Sequence, residues 1–168
     1  TTASELFGGS NTTGTVTTTT VTINSGTVTN VYGGNNAGGT TVVSNVNINS
    51  PVQNNVYGGN NEGGTTGIAN VTVNSQVQNV YGGGNNAVTT GNTTVLLDNA
   101  TITGSAFGGG NGATATVQGN STIKLEGTTN VTGDVFGGGN AAENGSELVN
   151  SNTYVYITGA TIGGDVYG

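Results

Sequence analysis

The stretch from Thr19 to Asn36 reads TTVTINSGTVTNVYGGNN. Val21 and Ile23 stand two residues apart within it, the period of an extended strand, so both turn to the same side. Val28 and Val31 follow at a spacing of three, which implies a bend between two inward residues. A ring, Tyr32, then meets two glycines and two asparagines.

The same text recurs on both sides. A ring followed by glycines stands at Phe7, Tyr32, Tyr57, Tyr81, Phe107, Phe136 and Tyr167, and the residue numbers differ by 25, 25, 24, 26, 29 and 31. Inward pairs recur with them: Val46 and Ile48, Val71 and Val73, Val95 and Leu97, Ile123 and Leu125, Val155 and Ile157. The second run repeats as Val52 and Val56, Val77 and Val80, Ile102 and Ala106, Val131 and Val135, Ile162 and Val166. A looser third run (Val42 and Val43, Ile68, Val117, Val149) is expected to close each coil. Between the runs lie Asn24-Ser25-Gly26, Gly58-Gly59-Asn60-Asn61 and Gly108-Gly109-Gly110-Asn111, residues that tolerate the positive φ of tight turns.

A unit of about 25 residues cannot bury an apolar face alone, but identical units stacked on one another can. The period therefore predicts one all-β domain over residues 1–168: a parallel β-solenoid of about six coils, with up to three short strands in each. No helix is expected, since Asn, Thr, Val and Gly form helices poorly and no 3.6-residue stripe appears. The extra residues around Ala141 to Asn150 are expected to form a protruding loop.

Composition excludes several functions. Lys124 is the one Lys or Arg against eight acidic residues, a net charge of −7, so nothing neutralises nucleic-acid phosphates or binds an anionic membrane. No apolar run is long enough for a helix to span a bilayer. There is neither Cys nor His, so no disulfide framework and no base titrating near neutral pH is available. No cofactor and no catalytic residue is expected, and the chain is expected not to be an enzyme.

Segments such as Thr19 to Asn36 and Thr129 to Asn140 (TNVTGDVFGGGN) resemble the repeats of large bacterial surface adhesins and adhesin-like β-helix proteins, over nearly the whole chain. That resemblance implies an extracellular or cell-surface setting.

Five groups of residues are candidates for a role. The seven rings should stack as a ladder, either fixing register or offering a strip for glycans. Stacked Asn side chains at the glycine corners should hydrogen-bond from coil to coil. Asp98 with Glu126, and Asp134 with Asp165, should be neighbours one coil apart, the second pair being a weak candidate for a metal. Outward residues of the first run (Thr20 and Thr22, Asn45 and Asn47, Asn70 and Thr72, Thr94 and Leu96) do not form the threonine lattice that binds ice. Tyr154 and Tyr156, near Leu96 and Lys124, are expected to be the outward bulky cluster, for a ligand or a lateral contact.

The repeat begins and stops mid-motif, so either the chain is a segment of a longer repeat protein or copies of it join end to end, the second being the expectation. The expected function is a structural fibre or stalk segment, with an adhesive module for glycan or a host surface as the alternative.

Overall fold

The computed structural model of the chain describes residues 2–140 and 149–168. All strands pair in parallel with the equivalent strand of the next coil, and among the described residues there is no helix. The expected loop falls largely on residues 141–148, outside the described residues.

Three sheets run along the solenoid. One carries the rings: Thr2–Phe7, Thr27–Tyr32, Asn55–Tyr57, Asn79–Tyr81, Ala106–Phe107, Val135–Phe136 and Val166–Tyr167, in that order. A second holds the long strands Thr15–Ile23, Thr40–Ile48, Thr65–Val73, Thr93–Asp98, Ser121–Glu126 and Thr153–Thr158. The third is short: Gln76–Val77, Thr101–Ile102, Asn130–Val131 and Thr161–Ile162. A bridge between Val28 and Val52 carries the line of this third side into the earlier coils.

Register follows the apolar pattern. Val21, Val46, Val71, Val95, Ile123 and Val155 lie one above the next, as do Ile23, Ile48, Val73, Leu97, Leu125 and Ile157. A slip of one residue would turn each inward column to solvent, so the pattern specifies the pairing. Members of both columns from Val21 to Leu125 are buried and form one continuous core with the second-run residues. The bend read into that run is real: Val77 sits in the short third sheet, and Val80, three residues on, in the ring-bearing sheet.

Stacking rings form a second buried column. Their centres lie 4.8 to 4.9 Å apart with planes within 9° of parallel, from Phe7 without interruption to Tyr167. That spacing is the inter-strand distance, so each ring sits directly over the last. Six such steps make a rod about 30 Å long.

Two expectations are corrected. The third run does not close the coil in its early turns, for Val42 and Ile68 are exposed on the long-strand sheet and Val43 is only partly covered. The inward places there belong to Thr41 and Thr66, whose hydroxyls donate to the Asn60 side chain at a buried corner. Valines at those places would remove two of the three donors to Asn60 Oδ1, leaving the Asn35 N–H. Only later does the run turn inward, where Val117 pairs with Thr89 and is fully buried. Second, the glycine next to each ring does not take positive φ; that conformation occurs at Gly26, Gly39 and Gly64 among others. The ring-adjacent glycines supply clearance. A Cβ on Gly33 would strike the carbonyl of Gly58, and one on Gly58 that of Gly82.

Candidate functional site

Outward side chains of the long-strand sheet form two columns. One runs Thr20, Asn45, Asn70, Thr94, Thr122, Tyr154; the other Thr22, Asn47, Thr72, Leu96, Lys124, Tyr156. Both are small and polar through the first three strands and become bulky only in the last coils.

There the strands Ser121–Glu126 and Thr153–Thr158 frame an open groove of about 480 Å³, lined by Thr122, Lys124, Glu126, Tyr154, Tyr156 and Thr158. Alternation along each strand puts every second residue on this face, so all six belong to it. The rings of Tyr154 and Tyr156 are nearly parallel, 11° apart, with centres 6.4 Å from each other. Lys124 Nζ stands over the Tyr156 ring, 6.0 Å from its centre, within reach of a cation–π attraction. Tyr156 is half exposed and Tyr154 slightly less so. The expected cluster is thus assembled as one surface, with Leu96 partly buried in the neighbouring coil.

Glu126 belongs to the groove, and Asp98 lies opposite it one coil back. The Asp98 carboxylate accepts a hydrogen bond from Asn99 Nδ2 at 2.8 Å. Asp134 and Asp165 are also neighbours across one coil step, and their arrangement has a structural cause. Asp134 Oδ1 accepts the backbone N–H of Asp165 at 2.8 Å. The same bond recurs two residues before three other rings (Asn55 N–H to Asn30 Oδ1, Ser105 N–H to Asn79 Oδ1, Asp134 N–H to Ser105 Oγ), while before Tyr81 Asn79 donates its side-chain Nδ2 to Asn55 Oδ1. Asn, Ser and Asp all present an acceptor at that height, so the residue type changes from Asn30 to Asp134 while the acceptor one coil back stays in use. The sequence shows these positions plainly, but their common role is hidden by the change of side chain. Among the described residues, no group of three or more Asp or Glu gathers where a metal would sit.

The asparagine ladder expected at the corners exists. Asn36, Asn61, Asn85, Asn111 and Asn140 each donate Nδ2 to the Oδ1 one coil back, beginning at Asn11, at 2.8 to 3.0 Å. A second, exposed ladder joins Asn24, Asn49 and Asn74.

The stacked rings do not offer a glycan strip along the rod. Tyr32, Tyr57, Tyr81 and Phe107 are 4 to 7% exposed, and each face is taken by the next ring. Burial, then the Glu5 carboxylate, pushes the Tyr32 hydroxyl up to about 12. Burial likewise raises Tyr57 and Tyr81.

No protein-family model, no curated protein and no solved structure matches the chain.

The groove therefore rests on its own chemistry. It offers two rings, an ammonium, a carboxylate and four hydroxyls, two of them on the rings.

Proposed function

We propose that this chain is a structural rod outside the cell, a segment of a fibre or stalk that lengthens by stacking copies of itself end to end. One observation carries this reading: every column of the solenoid, stacked rings and inward pairs alike, runs in unbroken register from coil to coil. An added coil continues every column, whether it belongs to the same chain or to another copy. The contact is of the kind that repeats without closing, and so makes filaments.

The likeness of the repeats to bacterial surface adhesins supports the extracellular setting. The lone Lys/Arg site gives trypsin-like proteases little to cut, which suits a structural element outside the cell.

Electron microscopy of the purified 168-residue chain tests the proposal. Unbranched fibres are expected, and Val166→Lys with Tyr167→Asp should abolish them while leaving the circular dichroism of the coil intact. A wild-type chain that stays monomeric by light scattering at high concentration would reject the filament.

A further inference from the structure

We infer that the groove between strands Ser121–Glu126 and Thr153–Thr158 is a binding site for a neutral saccharide chain, which makes the rod adhesive as well as structural. The groove sits on the side of the solenoid, so this function is separate from end-to-end stacking.

The lining fits that class of ligand. Tyr154 and Tyr156 give two nearly parallel rings along one strand, and a pyranose ring offers a flat C–H face to lie against such surfaces. The hydroxyls at its rim both donate and accept. Lys124 supplies donors only, Glu126 acceptors only, and Thr122 and Thr158 supply both. A volume of about 480 Å³ lies within the range of roughly 300–1,000 Å³ typical of small-ligand sites.

Other occupants fit less well. An anionic polymer would meet Glu126 in the groove, Asp98 beside it and a net charge of −7, with Lys124 as the one opposing cation. A stable contact with a second copy uses roughly 20–30 residues a side. Here six residues line the groove, and the surface on its other side turns to Asn45, Asn47, Asn70 and Thr72. A peptide adding as a strand would lie along a sheet edge, whereas this groove lies on the side-chain face of two strands paired with each other.

An array of neutral oligosaccharides (of glucose, mannose, galactose and N-acetylglucosamine) with uronate and sulfated chains as comparison tests the inference. The strongest binder is then titrated by calorimetry. A neutral chain should bind, and Tyr156→Ala should weaken it by roughly tenfold or more, the loss usual for a central aromatic contact. Lys124→Met should weaken it less. Both side chains are exposed, so thermal unfolding of either variant should match the wild type. If Tyr156→Ala proves unstable, Tyr156→Leu keeps the bulk and removes the ring. The inference is overturned if no neutral saccharide binds at millimolar concentration, if acidic chains bind better, or if binding ignores Tyr156 and Lys124. A change of particle mass in Tyr156→Ala, with no change in glycan binding, would instead assign the groove to a second copy. Fibre formation in these variants should be unaltered, so the rod and the site stand or fall separately.

Discussion

Gly58 shows why a ring is followed by glycine in every coil. The carbonyl of Gly82 occupies the place where a Cβ would project, and the backbones cannot part without breaking the ladder. Gly58→Ala should therefore destabilise the fold by about 1–3 kcal/mol, as overpacking does, whereas Gly138→Ala, with nothing near its Cβ among the described residues, should change little. Thermal or denaturant unfolding of the pair separates steric demand from mere glycine content. Tyr57 makes a second contrast. Tyr57→Ala removes a ring held between Tyr32 and Tyr81 and should cost about 3–5 kcal/mol. Tyr57→Phe should cost under about 1 kcal/mol, since Phe107 fills the same column. The buried hydroxyls also set an alkaline limit. Folding raises the Tyr32 hydroxyl to about 12, and raises Tyr57 and Tyr81 as well, from an ordinary value of 10.0. The unfolded chain thus releases these protons first. Their contribution is fully present below about pH 10 and declines as pH climbs toward 12. Melting followed by circular dichroism at roughly pH 9 and pH 11 should show the loss. The Tyr32→Phe, Tyr57→Phe, Tyr81→Phe triple variant should show much less of it.

Among the elements, the asparagine ladders tie coil to coil, and burial ranks them. Asn61 is 5% exposed and bonded both ways, so Asn61→Ala should cost about 2 kcal/mol, near 1 for each bond lost. Asn49, in the exposed ladder, has water as a substitute partner and should cost under about 1 kcal/mol when changed to Ala. Equilibrium unfolding in urea would give both values. These elements also mark what could be read before the coordinates. The inward pairs, the bend in the second run and the ring column were legible because each repeats one residue type at one place. Val42 and Ile68 were misassigned because an apolar side chain signals burial only where the strand alternation is known. Two nine-residue strands, one inward at Thr41 and Ser44 and the other at Thr66 and Ala69, set them outward. The column from Asn30 through Ser105 to Asp165 escaped notice for the opposite reason: its chemistry is constant and its letters are not. Tyr154, Tyr156 and Lys124 were found because bulk on an otherwise small polar face stands out. Glu126 was read as half of a carboxylate pair, and only the register joins it to the rings.

For the molecule as a whole, nearest-neighbour stacking means that no coil is independent of those beside it. Lys124, the one site for trypsin, lies in the middle of a strand paired on both sides. Cleavage there requires opening of the stack, so digestion of the native chain should be very slow and should accelerate in step with Gly58→Ala or Tyr57→Ala. Rapid cutting of the folded wild type would show that the last coils open on their own. The coil length varies without disturbing this order. Twelve residues lead from Tyr32 to Ser44, fourteen from Phe107 to Ser121 and seventeen from Phe136 to Thr153, yet the ring spacing stays at 4.8 to 4.9 Å. Part of the surplus, as between Phe107 and Ser121, falls at the corner after the ring, and that corner recurs along a single line of the rod. Foreign peptides spliced into that corner of successive coils would be held as a row of evenly spaced pendants, with their spacing set by the backbone of the host and not by their own folding.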